Sequence, residues 1–476
     1  MPEMIRESSR TIEVLDRADV LVAGAGVAGC AAAVAAARAG ARTVLVERNG
    51  MLGGVATAGL MANIGNLYVD GQGQVIVHGI AREVVERMVA RGAASARWAS
   101  REVPGIVIDS EQLKLVLSEM AREAGVRVLT HTLAARPIVT GNSVQGAFIE
   151  GKPGRQAILS RMVVDATGEA DLAYQAGCPM RWTDGSASLE FKMGPVDLEA
   201  LYQHFRRHPE TFPVGMDMVK GFAEFERNWV ERGIFFFPHG GGSKWDILQG
   251  AIERGEFQKK RGILWNLDAA GLYGLRPSST VVVNSNFWRV NTLATPEVSL
   301  AELEAQQACY YVAAFFRRHV PGFECADVVQ VASDLGVRVS RGIRGQVTLT
   351  NDATSSRQPA YCAEVVGCAP ASAPFAETGR FFWDHSFDIP YGIMVPQGVD
   401  NLLVASGKSA SCEPQGLIRG MCTCMVLGQA AGAAVSLCSK AGISPRAVDR
   451  RELQGLLLSQ GVYLGPPERL RSLGLA

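Results

Sequence analysis

Apolar runs separated by glycine mark the first ordered part of the chain. Residues 19–23 (DVLVA) predict a buried strand, and residues 30–40 (CAAAVAAARAG) predict a helix that ends at Gly40. A second apolar run, ARTVLVE, predicts another buried strand, which ends at Glu47. A strand, a glycine turn, a helix and a second strand in this order predict a β–α–β unit.

Amphipathic and alternating patterns extend this beginning into an α/β fold. Helical periodicity predicts helices over residues 81–91 and 110–124. Residues 125–150 alternate between apolar and polar positions around a turn at Gly141, which predicts a β-meander. Near the carboxyl end, residues 401–407 predict one more buried strand, followed by a helix rich in small residues.

The middle of the chain has a weaker pattern, with scattered aromatic residues. Helices are predicted near residues 197–207, 215–232 and 299–318, and a strand is predicted over residues 279–286. No internal repeat and no low-complexity linker divides this region.

Composition narrows the class of protein. The chain has 476 residues, with 47 Lys+Arg and 47 Asp+Glu, so its formal net charge is zero. We therefore expect neither nucleic acid nor an anionic membrane as a partner. Hydrophobic residues make up 47% and charged residues 20%, which is typical of a globular protein, and the length predicts two or three domains. Ten cysteines are too few for a disulfide scaffold, which favours reduced thiols and a cytoplasmic location.

One uncharged stretch, residues 20–37, is long enough to span a membrane. Its residues are mostly alanine and glycine, which insert weakly, so we expect neither a transmembrane helix nor a signal peptide there. The spacing of its glycines indicates a different purpose.

The glycine turn has the spacing of a dinucleotide-binding fingerprint. Gly24 allows a tight turn, Gly26 lets the backbone approach a pyrophosphate, and Gly29 lets the helix and strand pack closely. The helix start offers free N–H groups to phosphates. Glu47 follows at the distance expected for an acid that binds ribose hydroxyls and repels a 2′-phosphate. The predicted phosphate-binding residues are Gly24, Ala25, Gly26, Val27, Ala28 and Gly29.

The segment after Glu47 favours FAD over NAD. A Gly53-Gly54 pair leaves a backbone without side chains, which can run along the pyrophosphate toward a flavin ring. An NAD domain would normally continue directly into a third parallel strand. The predicted cofactor contacts in this segment are Arg48, Gly53, Gly54, Val55 and Thr57.

The motifs GAGVAG and VLVERNGMLGG resemble FAD-dependent oxidoreductases of the glutathione-reductase-like, two-dinucleotide-binding-domain superfamily. More narrowly, the chain resembles the bacterial family named FAD-dependent oxidoreductase. This resemblance implies a Rossmann-like FAD-binding domain with an inserted β-meander, plus a mixed α+β domain that binds or covers the substrate.

Two further segments match the same family. In MVVDATGEAD, residues 162–171, the resemblance implies that Ala166, Thr167 and Gly168 lie near the cofactor, and that Leu133 lies by the adenine. After the strand at 401–407, it implies contacts from Gly407, Gly416 and Leu417, with the following helix pointing at the flavin pyrimidine edge. The family often has arginine where this chain has Lys408.

The resemblance gives the domain organisation that we expect. Residues 17–177 together with 391–445 form a discontinuous FAD-binding domain, residues 178–390 form the substrate-binding or cap domain, and residues 446–476 form a helical tail. Since only one complete nucleotide fingerprint is present, a built-in NAD(P)H domain is not expected, and the electron donor or acceptor is a separate molecule.

A flavin enzyme usually needs a general acid or base and an anchor for its substrate. The segment before the last strand offers His385 and Tyr391 as acid or base, and His239 is a weaker alternative. Arg341 and Arg344, within GVRVSRGIRG, are alternatives for anchoring a carboxylate or carbonyl group. A structural role remains open for each of them. No cysteine spacing matches zinc or an iron–sulfur cluster, so no metal is expected.

We therefore expect an FAD-dependent dehydrogenase or reductase that transfers a hydride between flavin and a small organic substrate. Two alternatives stay open: a monooxygenase that uses external NAD(P)H and O₂, and a flavin-carrying electron-transfer subunit. The sequence leaves open the substrate, the direction, covalent flavin attachment and self-association.

Overall fold

The computed structural model describes residues 4–5, 9–65, 68–100, 105–213, 221–237, 245–260, 267, 271–286, 288–372 and 382–475. The helices are α1 (Val27–Arg38), α2 (Ile80–Ala90), α3 (Ser110–Glu123), α4 (Asp171–Gln175), α5 (Leu198–Arg207), α6 (Phe222–Arg232), α7 (Asp246–Glu253), α8 (Thr295–His319), α9 (Asn351–Ser355), α10 (Met421–Ala441), α11 (Arg450–Ser459) and α12 (Pro467–Leu473).

The strands are β1 (Val14–Ala23), β2 (Thr43–Val46), β3 (Arg127–Leu129), β4 (Leu133–Thr140), β5 (Ser143–Gly151), β6 (Gly154–Asp165), β7 (Met180–Ala187), β8 (Phe191–Gly194), β9 (Ile234–Phe237), β10 (Leu272–Leu275), β11 (Val281–Val283), β12 (Trp288–Arg289), β13 (Asp327–Val331), β14 (Val339–Ile343), β15 (Leu349–Thr350), β16 (Val365–Ser372), β17 (Phe382–Pro390), β18 (Leu402–Val404) and β19 (Cys412–Glu413).

The main sheet has the order β3-β2-β1-β6-β5-β4, with β18 paired to β6. Strands β3, β2, β1, β6 and β18 run parallel, whereas β5 pairs antiparallel with the first half of β6, and β4 pairs antiparallel with β5. This is the predicted Rossmann-like sheet with an inserted meander, so the α/β fold class is confirmed.

A second domain follows the first in sequence. Its five-stranded antiparallel sheet has the order β13-β8-β11-β10-β9, and a three-stranded sheet, β12-β7-β14, lies alongside. A separate hydrophobic core, rich in phenylalanine and tryptophan, packs between this five-stranded sheet and helices such as α5, α6 and α8. The scattered aromatic residues of the middle region are therefore core residues.

The β16–β17 hairpin does not pack into the aromatic core of the second domain. The prediction groups residues 178–390 as one domain, yet the buried side chains of this hairpin belong to the core that contains α1 and α10. Their apolar faces meet α10 and α11 because the hairpin immediately precedes the return of the chain into the main sheet. The domain boundaries themselves stay a prediction.

Helices α1 and α10 pack against each other through small residues. A Cβ atom built on Gly428 would lie 2.0 Å from the carbonyl oxygen of Ala28, and one on Gly432 would lie 2.1 Å from that of Ala32. Among the described residues, α10 is the helix with the length and hydropathy of a membrane span, and 89% of its most apolar window is buried inside the protein. The small residues of both helices thus serve close helix packing.

We expect Gly432→Ala to lower the free energy of unfolding by about 1–3 kcal/mol, because the added methyl group overlaps backbone atoms of α1. The control is Gly455→Ala in α11, where a Cβ atom would meet nothing within 4 Å. That variant should gain up to about 1 kcal/mol from helix propensity. Urea unfolding of both variants checks this, and equal shifts in the two would contradict the packing argument.

Candidate functional site

The five parallel strands of the main sheet end at one common edge. Ala23 is in register with Val46 and with Asp165, and Asp165 is in register with Val404. The segments that follow these strands therefore meet at the carboxyl edge of the sheet, where open α/β folds bind ligands. Four of the glycine-containing segments singled out from the sequence start there, after β1, β2, β6 and β18.

The first of these segments is the glycine turn between β1 and α1. Gly24 has a φ of +92°, which few other residues adopt, and a Cβ atom on Gly29 would lie 1.8 Å from the carbonyl oxygen of Gly24. A Cβ atom on Gly26, in contrast, would meet nothing within 4 Å. The first backbone bond of the helix runs from the Cys30 N–H to the Gly26 carbonyl. The N–H groups of the first turn thus face open space, which fits a pyrophosphate.

Glu47 lies beside this turn at the end of β2. Its carboxylate is buried and accepts hydrogen bonds from the Ala25 N–H at 2.7 Å and the Asn49 N–H at 2.9 Å. The Glu47 carbonyl accepts a bond from the Thr132 N–H, so Leu133 at the start of β4 is held nearby. A fixed carboxylate with lone pairs to spare fits a ribose hydroxyl.

The Gly53-Gly54 loop lies against the glycine turn. The Gly53 N–H donates to the Ala25 carbonyl at 2.8 Å, and a Cβ atom on Gly54 would lie 2.9 Å from the Cα of Gly26. Val55 continues this loop, and the buried hydroxyl of Thr57 closes it by donating to the Leu52 carbonyl at 2.7 Å. The two glycine-rich segments thus form one continuous backbone surface without side chains.

The segments after β6 and β18 complete the edge. Gly168 has a φ of +94°, and its carbonyl accepts a bond from the Ser406 hydroxyl at 3.2 Å. A Cβ atom on Gly407 would lie 2.1 Å from the Ile418 carbonyl oxygen, so the loop that contains Gly416 and Leu417 packs directly on the end of β18. Ala166 and Thr167 lie between these segments and the glycine turn, since the Ala166 N–H donates to the Ala23 carbonyl.

The family model for FAD-dependent oxidoreductases matches residues 19–457. The chain belongs to this family. It is therefore an enzyme, and its cofactor is FAD. The open cradle at Gly26, the free N–H groups of α1 and the fixed Glu47 carboxylate fit this cofactor.

Curated relatives of this FAD-dependent oxidoreductase include reductases of archaeal lipids. It is 30% identical to digeranylgeranylglycerophospholipid reductase 2 of Methanothermobacter thermautotrophicus over 230 residues. That alignment covers 47% of this chain and 54% of the relative. Over 195 residues it is 32% identical to the thiamine thiazole synthase of Aeropyrum pernix, covering 38% of this chain and 64% of that protein. The chain spans little more than half the length of the first of these relatives.

Among solved structures, a geranylgeranyl bacteriochlorophyll reductase-like protein from Thermoplasma acidophilum aligns with a TM-score of 0.42 and 15% identity. That alignment covers 94% of this chain and 87% of the other. The myxobacterial chondrochloren halogenase aligns with a TM-score of 0.45 and 13% identity, covering 93% and 78% of the two chains.

A loop of the second domain lies across the FAD edge. This bridging loop, residues 333–338, connects β13 to β14. The Ser333 N–H donates to the Ala58 carbonyl, and the Asp334 carboxylate pairs with Arg48 at 3.0 Å and accepts a bond from the Asn49 amide at 2.6 Å. At its other end, the Lys408 ammonium donates to the Val337 carbonyl at 3.3 Å. The loop is therefore fastened to three of the segments at the edge.

Arg341 is held by acids next to Gly168. Its guanidinium pairs with Asp171, donates to the Glu169 carbonyl at 2.7 Å and lies 4.4 Å from the centre of the Tyr174 ring. These partners occupy the guanidinium and fasten the loop after β6 to β14. Arg344, three residues further, is exposed and its backbone N–H bonds to the Pro179 carbonyl. Their roles as substrate anchors stay predictions.

The side chains of His385 and Tyr391, two of the predicted acid or base residues, have hydrogen-bond partners outside the glycine segments. His385 is half-buried on β17, with Nε2 3.0 Å from the carbonyl oxygen of Ser356. The Tyr391 hydroxyl is fully buried and donates to the Pro445 carbonyl at 3.0 Å, and burial raises its pKa well above the ordinary value. Its geometry is that of a structural tyrosine. His239 lies outside the described residues. The acid/base assignments stay predictions.

Two charged residues at the edge were not chosen from the sequence. Lys408 was noted only as a departure from the family, yet its ammonium lies between Gly168 and the bridging loop. Burial lowers its pKa, although Glu169 opposes this. The sequence favours Arg341 and Arg344 as substrate anchors, but Arg338 is the arginine of the bridging loop. Arg338, Arg341 and Arg344 are equally spaced in the sequence, so their spacing does not indicate which of them lies in the bridging loop.

A buried acid at the edge predicts a pH effect on stability. Asp165 accepts bonds from the Thr167 N–H and hydroxyl and from the Ala173 N–H, and burial raises its pKa to about 6. Since the pKa in the unfolded chain is lower, the unfolded state binds fewer protons between about pH 4 and 6. Stability contributed by this group should therefore fall as the pH rises through that range and level off above it.

The measurement is urea unfolding of the wild type and Asp165→Asn at pH 4, 5, 6 and 7. We expect the wild type to lose stability relative to the variant as the pH rises from 4 to 6. A stability difference that stays constant over this range would contradict the raised pKa.

Proposed function

We propose that this FAD-dependent oxidoreductase is a dehydrogenase or reductase that exchanges a hydride between FAD and a carbon atom of a small organic substrate, with a separate electron donor or acceptor. The observation that carries the proposal is the convergence of the glycine segments at one sheet edge, with the bridging loop of the second domain fastened across it. When bound, FAD supplies hydride chemistry at its isoalloxazine ring.

The residues of the chain take distinct roles in this proposal. Gly26 and the N–H groups of Val27, Ala28 and Gly29 bind the pyrophosphate, and Glu47 binds the adenosine ribose. Gly53, Gly54, Gly168 and Gly407 keep side chains away from the cofactor. The bridging loop excludes water from one side, and the Lys408 ammonium is placed to hold or give a proton beside Gly168.

We further propose that the chain belongs to the glutathione-reductase-like, two-dinucleotide-binding-domain superfamily. The meander β4–β6, inserted before the last parallel strand, supports this. The relatives from Methanothermobacter thermautotrophicus and Methanopyrus kandleri are named as reductases, which favours reduction of the substrate over its oxidation.

The test is anaerobic spectroscopy of the FAD-loaded chain. Dithionite-reduced protein is mixed with a panel of unsaturated and carbonyl compounds, and flavin reoxidation is followed by absorbance. Reoxidation by one compound, with its reduced product recovered in equal amount, supports the proposal. Reoxidation by none of them, while artificial acceptors still oxidise the flavin, favours an electron-transfer subunit.

A second assay separates the monooxygenase alternative. The chain is supplied with NADPH, O₂ and the same compounds, and both NADPH oxidation and product mass are measured. Incorporation of an oxygen atom into the product would overturn a dehydrogenase or reductase. Acid precipitation of the purified protein reports whether FAD is released or covalently held.

A further inference from the structure

A group of buried polar residues lies at one end of the five-stranded sheet of the second domain. This polar cluster consists of Ser188, Glu190, Asn284 and Ser285. Phe191 on β8 is in register with Val283 on β11, so the residues before β8 and those after β11 meet at the same end of the sheet. The Ala332 N–H donates to the Glu190 carbonyl, and the Gly336 N–H donates to the Ser188 carbonyl. The cluster therefore borders the bridging loop.

Within the described chain, each residue of the polar cluster has one side-chain oxygen without the partner that a buried polar atom normally has. Each of the four residues is at most 2% exposed. Ser188 Oγ, Glu190 Oε2, Asn284 Oδ1 and Ser285 Oγ have no hydrogen-bond partner in the part of the chain that the structure describes. An unsatisfied buried polar atom is costly, and four at one end of a sheet are unusual. They indicate a site whose partners come from a ligand.

Two further residues, Arg338 and Tyr273, border the polar cluster. The Arg338 guanidinium and the Ser188 hydroxyl converge above Gly336, where a Cβ atom would lie 2.9 Å from the guanidinium and 3.6 Å from the hydroxyl oxygen. Arg338 acts electrostatically on Glu190, and Asn284 reaches the Tyr273 hydroxyl at 3.5 Å. One carboxyl group, one amide, two serine hydroxyls and a guanidinium thus lie side by side, and together they offer both hydrogen-bond donors and acceptors.

The bridging loop connects the polar cluster to the FAD edge. At Ser333 it bonds to Ala58 beside the Gly53-Gly54 loop, and at Val337 it bonds to Lys408 beside Gly168. The bridging loop and the preceding residue, Ala332, thus carry both the contacts to the FAD domain and the contacts to the cluster. A substrate that reached the cofactor past this loop would also lie close to the four side chains.

We propose that the polar cluster binds the hydroxyl groups of a neutral polyhydroxylated compound, a sugar or a cyclitol, as the polar part of the substrate. The inference rests on the proposed function, because it takes the ligand to be the compound that exchanges the hydride. Hydroxyl groups both donate and accept, so several of them on one ring can satisfy two serine hydroxyls, an amide oxygen and a carboxyl group together.

The protonation of Glu190 agrees with a ligand that carries hydroxyl groups. Burial raises its pKa to about 8, and the opposing effect of Arg338 is smaller. At neutral pH this carboxyl group is mostly protonated, and it can then donate one hydrogen bond and accept another. A cationic ligand would have to ionise it, whereas a hydroxylated ring does not.

Three probes with one ring test the inference: D-glucose, D-glucosamine and D-glucuronate, which are neutral, cationic and anionic. Each is titrated by calorimetry into the FAD-loaded chain, which needs no turnover. The variant is Ser285→Ala and the matched control is Ser279→Ala, which lies in the exposed segment before the opposite end of β11. We expect glucose to bind most tightly, with affinity lowered about 10-fold in Ser285→Ala and unchanged in Ser279→Ala.

A stability measurement separates binding from folding. The Ser285 hydroxyl has no partner in the described chain, so Ser285→Ala should be no less stable than the wild type without ligand. Tighter binding of glucosamine or glucuronate would overturn the neutral class. Absence of binding by all three would mean that the cluster holds only water, and the inference would fail. If glucose binds but no compound exchanges a hydride, the proposed function fails and the binding site stands.

Discussion

Replacing Gly26 with valine is expected to weaken FAD binding by up to about 100-fold while leaving the chain folded. In the structure a Cβ atom at this position meets nothing within 4 Å, and the Gly26 φ of −61° suits any residue. The free chain therefore has room for the new side chain. The space that valine would fill is the space next to the α1 N–H groups, where we propose that the pyrophosphate binds.

The size of this effect follows from overpacking a rigid site. Inserting methyl groups where a ligand must fit costs up to about 3 kcal/mol, and about 1.4 kcal/mol corresponds to a tenfold change in affinity. Gly455→Val is the control, because it makes the same change at a position on α11 that also meets nothing within 4 Å. Fluorescence titration of the stripped proteins with FAD gives the dissociation constants. Wild-type affinity in Gly26→Val would place the pyrophosphate elsewhere.

Most of what could be predicted from the sequence concerns residues that are close together along the chain. The glycine turn, α1, β2 and Glu47 lie within 30 consecutive residues, and their contacts with one another are local. The hydrophobic pattern and the positions of the glycines are therefore sufficient to predict such a unit. The predicted helices over 81–91 and 110–124 agree with α2 and α3 within one residue at each end for the same reason: each has one apolar face and clear ends.

Three arginines, one in the bridging loop and two in or just after β14, show why the rest was not predictable. Arg338, Arg341 and Arg344 have equal spacing in the sequence, but a register shift between Val339 and Arg341 interrupts the pairing of β14 with β7. Arg341 then meets Asp171, whereas Arg338 remains in the loop beside Glu190. Both acids are about 150 residues away or more, so only the tertiary fold decides which arginine has which partner.

The polar cluster could not be predicted from the sequence for a related reason. Glu190 precedes a short strand of buried residues, and Asn284 follows another, so each reads as an ordinary strand end. Their significance depends on the pairing of β8 with β11 and on missing partners, and neither can be read from a single segment. Functional residues of a domain without a local motif therefore emerge only from the packed structure.

Removing the guanidinium of Arg469 is expected to lower the free energy of unfolding by about 3–5 kcal/mol. Arg469 lies on α12 and pairs with Asp388 on β17 at 2.9 Å, with side-chain exposures of 12% and 1%. It also donates to the Cys362 carbonyl at 2.6 Å and lies 4.7 Å from the centre of the Tyr361 ring. In Arg469→Ala the Asp388 carboxylate stays buried without its cation, and this is the costly way to break an ion pair.

The control is Arg471→Ala, an exposed arginine two residues along the same helix. This variant removes the same side chain without leaving a buried acid unpaired. It should change the free energy of unfolding by less than about 0.5 kcal/mol. Urea unfolding of both variants gives the comparison, and FAD content is measured alongside. Equal small losses in both would mean that other donors satisfy Asp388. A large loss in Arg469→Ala alone would show that the carboxyl-terminal helix stabilises the core containing α10, although it lies outside the strands that form the FAD edge.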